Sequence, residues 1–191
     1  MLAFFLQLGR AYHRLSTTAA DQPNPLMSQK AVEVLTKAVN VGVVNNFVFK
    51  QEMGDAMFYL GASLAESGKA ENAIEYFERS LKVYRTLHGK RSAPVARTLR
   101  QIAFLFIRQR NLDSAIPYLA AVIKAESHLH GPNSVQVGDL LKTRGDVLLI
   151  AQRYDEAIAS LTEAASVYET VFGSDCQQRK ECHDRIARAD E

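Results

Sequence analysis

One spacing, 42 residues, constrains this chain more than anything else in it. The pairs Ala73-Ile74, Ala115-Ile116 and Ala157-Ile158 recur at that interval. So do His88-Gly89, His130-Gly131 and Phe172-Gly173. One further step back lands on Ala31-Val32, with Leu35, Ala38 and Val41 opposite Phe77, Ser80 and Val83. Coincidences held in register over three steps mark an internal repeat, and a repeat of this length means one supersecondary unit copied along the chain.

Inside each unit the apolar residues step by three and four, as one face of a helix requires. In the middle unit Leu99, Ile102, Ala103 and Phe106 make one stripe; after the polar turn Arg108 to Asn111, Leu112, Ala115, Leu119 and Val122 make a second. Asp113 and Asp155 fall in the first turn of their helices, where a carboxylate suits the exposed amide dipoles. Pro117 is close enough to a helix start to remove at most one backbone bond. Gly89, Gly131 and Gly173 stand where the second helices must end in a positive φ. Each unit is therefore a helix–turn–helix. Gly61, Ala103 and Gly145, with Ala73, Ala115 and Ala157, mark where paired helices approach closely. No hairpin can bury its stripe alone, so the units must stack.

Composition agrees with helices and removes several classes of function. The 191 residues include 25 Ala and 20 Leu against only 10 Gly and 5 Pro, so helix formers dominate. A hydrophobic content of 47% excludes wholesale disorder. Lys+Arg 23 against Asp+Glu 21 leaves +2, too little for a general nucleic-acid binder. Two cysteines cannot build a disulfide framework. No apolar run reaches the length of a membrane span.

At Met57, Leu60-Gly61, Leu64, Ala73 and Phe77 the chain resembles the tetratricopeptide repeat. Leu99, Ile102-Ala103, Phe106, Ala115 and Leu119 repeat the set, followed by Leu141, Gly145, Leu148, Ala157 and Leu161. Arg144 departs from it, since an apolar residue belongs there. The 42-residue period is similar to the long-helix variant of kinesin light chains, as is the run Pro94-Val95-Ala96-Arg97-Thr98-Leu99 with Ile102-Ala103 and Gln109. The resemblance implies an all-α, tetratricopeptide-type α-solenoid: a right-handed superhelix of about four hairpins plus a C-terminal capping helix. Over a single domain, 1–191, it implies a divergent first repeat at 1–48 with a loop inserted at about 16–27. Further repeats follow at 51–90, 93–132 and 135–173, with the cap at 174–191.

It also implies that the first helices line a concave groove. Carried over position by position, that groove takes Gln7, Arg10, His13 and Arg14 from the first unit and Asp55, Tyr59, Ala62 and Glu66 from the second. The third gives Arg97, Arg100, Gln101, Phe104 and Arg108; the fourth gives Asp139, Lys142, Thr143 and Asp146. Arg97, Arg100 and Arg108 surround Phe104 on neighbouring turns, a strip suited to an acidic partner segment, with Arg97 and Arg100 expected to be exposed. The family's peptide-holding asparagine is replaced by Tyr59, Gln101 and Thr143, so a carboxylate clamp of the chaperone-tail type is not expected.

The N-terminus supports two readings. Phe5, Leu8-Gly9 and Tyr12 match a first-helix pattern, and Phe5 and Leu8 are expected to pack on Val32 and Leu35. A wheel places Leu2, Phe5, Leu8, Tyr12 and Leu15 on one side. Arg10, His13, Arg14 and Ser16-Thr17-Thr18, with no acid before Asp21, also fit a mitochondrial targeting segment. The location is accordingly intracellular, either cytoplasmic or mitochondrial. Near the C-terminus, the segment from Ser174 to Ala189 reads as the covering helix, with Cys176 and Ile186 on a weak apolar stripe.

Chemistry is sparse. Cys176, Cys182 and His183 match no zinc spacing, and six residues on a helix turn the thiols about 240° apart. His88 and His130 adjoin helix-ending glycines, where a cation suits the dipole. Neither a phosphate loop nor a nucleophile elbow is present. No enzyme, cofactor or metal is expected. Two functions remain: an adaptor or scaffold holding a peptide or protein in the groove, or an accessory subunit or assembly factor of a larger complex, a mitochondrial one if the N-terminal segment is an address.

Overall fold

A computed structural model describes residues 1–17, 24–46 and 50–189. Among the described residues there are nine α-helices and no strand: α1 (Leu2–Thr17), α2 (Pro25–Val44), α3 (Gln51–Glu66), α4 (Ala70–His88), α5 (Ala93–Arg108), α6 (Leu112–His130), α7 (Val135–Ile150), α8 (Tyr154–Phe172) and α9 (Gln177–Ala189). The chain is organised as two compact units, Met1–Lys90 and Arg91–Glu191. In the first, α1 pairs with α2, α3 with α4, and α3 also lies against α1 and α2. In the second, α5 pairs with α6 and α7 with α8, α6 meets α7, and α9 lies on α8.

The helix ends follow their local chemistry. Asn24 caps α2, its Oδ1 accepting from the amides of Leu26 and Met27 with Pro25 in the first turn; Asn111 does the same for Ser114 at the start of α6. Gly89, Gly131 and Gly173 end α4, α6 and α8 at φ +80°, +88° and +89°, a region open to glycine and strained for other residues. The turns inside the hairpins need a left-handed residue too. Gly68 supplies it between α3 and α4, but Arg110 and Gln152 take φ +60° and +59° at the same repeat position.

Close approach explains the small residues. Ala73, Ala115 and Ala157 are fully buried. A Cβ on Gly61 would lie 3.0 Å from the Phe77 ring, and one on Gly145 would lie 2.6 Å from Leu161 Cγ.

The N-terminal hairpin forms, with its buried stripe rotated from the expected one. Leu2, Leu6, Gly9 and Ser16 are buried, Phe5, Leu8 and Tyr12 are half-buried, and Leu15 is exposed. The reason is Gly9: Leu35 of α2 fills the space where a side chain would stand, 2.5 Å from an ideal Cβ. The expected loop at about 16–27 is also shorter at both ends. Ser16 and Thr17 end α1, and Pro25 to Met27 open α2; the rest of that loop, 18–23, lies outside the described residues.

In the second unit α9 covers α8 through Cys182, which is fully buried beside Val137, Leu141, Leu161 and Tyr168. Cys176 and Ile186, expected to carry this contact, only flank it. Burial pushes the Cys182 thiol up, and Lys142 and Arg185 nearby do not reverse the shift. It is a protonated packing group, and both cysteines are free.

Candidate functional site

The basic strip on α5 resolves into two kinds of residue. Arg97, Phe104 and Arg108 are exposed, Phe104 by 40%, and lie at i, i+7 and i+11 on one helix face. Gln101 is half-buried beside them. Arg100 departs from the expectation of an exposed side chain. Its Nη2 donates to Glu126 Oε1 of α6 at 2.6 Å, and its Nε is buried with no hydrogen-bond partner. The Glu126 side chain is 9% exposed, and its other oxygen lies 3.4 Å from His130 Nε2. Removing the guanidinium would strand a buried carboxylate, so Arg100 belongs to the α5–α6 junction.

In the first unit Arg10 and Tyr59 are brought together, the guanidinium 4.9 Å from the ring centroid. His13 meets the same ring edge-on at 5.6 Å. Arg14 is exposed. Beneath them Glu66, expected on the groove, instead ties three helices: Ser16 of α1 donates to it at 2.7 Å, Ser28 of α2 at 3.4 Å, and His13 Nδ1 lies 3.4 Å away. Burial alone would raise the Glu66 carboxyl, but the bonds from His13 and Ser16 outweigh it and hold it below the usual value.

Ser63 also touches His13 Nδ1, at 3.3 Å. The group has the composition of a catalytic triad without its geometry. A relay needs the acid on one ring nitrogen and the hydroxyl on the other, whereas here both meet Nδ1 and Ser63 is fully buried. The arrangement holds helices together and offers no nucleophile. Among the described residues no cluster of His, Cys, Asp and Glu could hold a metal ion.

On α7, Lys142 is also drawn into the fold. Its Nζ lies 2.5 Å from Glu181 of α9, while Asp146 accepts from Arg185 Nε at 2.6 Å. Asp139 accepts from Tyr168 at 2.7 Å, and Asp55 from Tyr84 at 2.5 Å. Of the carried-over groove positions, the acids thus serve mainly as internal acceptors. Groove residues that stay exposed include Arg97, Phe104 and Arg108 on α5 and Arg14 on α1. Two signals for this were in the sequence. Glu126 stands 42 residues from both Tyr84 and Tyr168, and Lys142 and Asp146 precede Glu181 and Arg185 by the same 39 residues.

The tetratricopeptide repeat profile matches residues 52–125 and 95–170, more than half of the chain, and the chain belongs to the tetratricopeptide repeat family. Families of this fold are protein–protein interaction scaffolds and generally not enzymes. Among solved structures, a protein of Podosopora anserina described as a kinesin light chain with nearly identical TPR-like repeats is similar over 98% of this chain and 84% of its own. It has 14% identity and a TM-score of 0.74. MamA RS-1, as the ArsTM double mutant, aligns over 97% and 94% with 14% identity and a TM-score of 0.59. MamA AMB-1 aligns over 99% and 91% with 17% identity and a TM-score of 0.56. No curated protein matches the sequence. These likenesses establish the fold expected from the repeat, all-α helical hairpins of tetratricopeptide type. No helix among the described residues is long and apolar enough to cross a membrane.

Proposed function

We propose that this chain is a non-enzymatic adaptor or scaffold that holds a peptide or protein segment of acidic character on its first-helix faces. The observation that carries the reading is Phe104, exposed on α5 with Arg108 one turn further on and Arg97 two turns back. An aromatic ring flanked by guanidinium groups suits a segment that alternates carboxylates with an apolar anchor. Gln101, half-buried on the same helix, supplies amide hydrogen bonds beside it.

The test is a fluorescence-anisotropy titration of the full chain with an acidic, phenylalanine-containing peptide. Phe104→Ala with Arg108→Glu lowers affinity by at least about tenfold, the size of one lost charge-assisted contact. Rising salt weakens the wild-type complex as screening grows. Equal affinity in the double variant, with helicity intact, overturns the reading. Arg100→Glu is unsuitable here, because it would break the bond to Glu126.

A second reading, an accessory subunit of a larger complex (mitochondrial, if α1 is an address), is favoured by one feature. Ile150 and Tyr154 are 57% and 48% exposed beside a cleft of about 380 Å³ that also takes Leu149 and Ala189. Native mass measurement of the protein from its own cell separates the two: a permanent subunit is found in one large assembly, an adaptor is not.

A further inference from the structure

Arg144 is where the repeat breaks its own pattern. At the same position in the two preceding hairpins stand Leu60 and Ile102, both buried. Arg144 on α7 is half-buried, its Nε is shielded from solvent, and that Nε has no hydrogen-bond partner among the described residues. A buried N–H without an acceptor has lost its water and gained nothing in return, so it destabilises the fold. For packing alone, an aliphatic side chain would be better.

The arginine instead lines a cleft of about 530 Å³ between α6, α7 and α8, together with Arg91, Lys124 and Glu163. Among the described residues Arg91, Lys124 and Arg144 take no ion pair, although Glu163 shares the cleft. Three cations, Arg91, Lys124 and Arg144, and one carboxylate, Glu163, sum to a formal charge of +2. A phosphate monoester carries about −1.5 to −2 near neutral pH, which matches that charge; a single carboxylate would leave half of it uncompensated. Arginine adds the forked donors that phosphate oxygens accept. The cleft is far larger than one phosphate group, and Ile123, Leu141 and Pro132 give it apolar surface for the carbon of a carrier.

We propose that this cleft binds a phosphate monoester carried on a peptide side chain, phosphoserine or phosphothreonine. The site shares no residue with the α5 strip and stands or falls independently of the function proposed for it. Arg144 supplies the inner donors, a small turn of its guanidinium bringing the shielded Nε–H onto the acceptor it lacks. Arg91 and Lys124, both exposed, reach the same anion from the rim and make the attraction sensitive to salt.

The experiment is an NMR titration of the isotope-labelled full chain, following the arginine Nε–H signals. The probes are N-acetyl-O-phosphoserine methylamide, its unphosphorylated serine counterpart and inorganic phosphate. The phosphoserine compound shifts the Arg144 signal saturably, inorganic phosphate binds more weakly, and the serine compound does nothing. Arg144→Leu, which restores the residue type of the other repeats, lowers affinity at least about tenfold, whereas Phe104→Ala leaves it unchanged. Lys124→Ala weakens binding as well and, being a surface change, keeps the test decisive should the Leu variant fold poorly. Absence of a saturable shift, or unchanged affinity in both Arg144→Leu and Lys124→Ala, overturns the proposal. Inorganic phosphate binding as tightly as the phosphoserine compound overturns the peptide carrier and assigns the cleft to free phosphate.

Discussion

The α3/α4 and α7/α8 hairpins are joined by a tyrosine, and the α5/α6 hairpin by an ion pair at the same place in the repeat. Tyr84 and Tyr168 are fully buried and donate to Asp55 and Asp139, and each ring lies against a glycine of the facing helix. A Cβ on Gly54 would stand 2.9 Å from the Tyr84 ring, and one on Gly138 3.0 Å from the Tyr168 ring. In the middle hairpin the three positions hold Ala96, Arg97 and Glu126. With no ring to accommodate, Ala96 has a Cβ and is buried. The carboxylate of Glu126 finds Arg100 one turn along α5 instead. Three residues therefore change together, because tyrosine demands a glycine opposite and an acceptor beside it, while glutamate demands a cation.

The comparison is broken most severely from the ion-pair side. Arg100→Glu sets a second carboxylate beside the buried Glu126 and lowers unfolding stability by about 3 kcal/mol. Arg108→Glu on the same helix, exposed, changes it by less than about 0.5 kcal/mol. Urea unfolding of the two variants checks the difference; equal effects would mean that Glu126 does not depend on Arg100.

A smaller effect sharpens the tyrosine side. Gly54→Ala forces a methyl group against the Tyr84 ring and costs about 1–2 kcal/mol. In a Tyr84→Leu background the same change costs less than half as much, which a double-mutant cycle measures as coupling. Independence of the two would show that the glycine is there for another reason.

The smallest expected effect is titration. Burial, and then the hydrogen bond to Asp139, raise the Tyr168 hydroxyl well above its ordinary value of 10.0. The folded chain therefore holds this proton after the unfolded chain has released it. The contribution is complete below about pH 10 and is lost as pH rises beyond that. Tyr168→Phe costs about 1 kcal/mol at neutral pH and flattens the alkaline limb of a stability profile. A wild-type limb as flat as the variant's would contradict the buried bond.

Much of the fold was legible because the repeat carries its own punctuation. Gly89, Gly131 and Gly173 mark helix ends that no other residue type fits without strain, and Ala73, Ala115 and Ala157 mark the crossings. The face of α1 was less so, since a wheel cannot tell that Gly9 is a socket for Leu35; that socket turns the stripe toward Leu6 and Ser16. At the α5 strip, exposure could be read for Arg97 but not for Arg100, whose fate depends on a carboxylate in the next helix. Stepping Glu126 by 42 in either direction reaches a tyrosine, and that substitution was the available warning. The role of Glu66 required the fold itself, because Ser16 and Ser28 reach it from two different helices.

The polar helix α9 has a single fully buried side chain, Cys182, and a rim of ion pairs to α7 at Lys142 and Asp146. It lies on α8 much as α7 meets α6, so it occupies the berth of a further hairpin's first helix. A face shaped for the next copy of a repeat is a sticky end, and head-to-tail contacts that do not close propagate into fibres. By lying over α8, α9 keeps that helix's apolar residues from being such a face in the second unit.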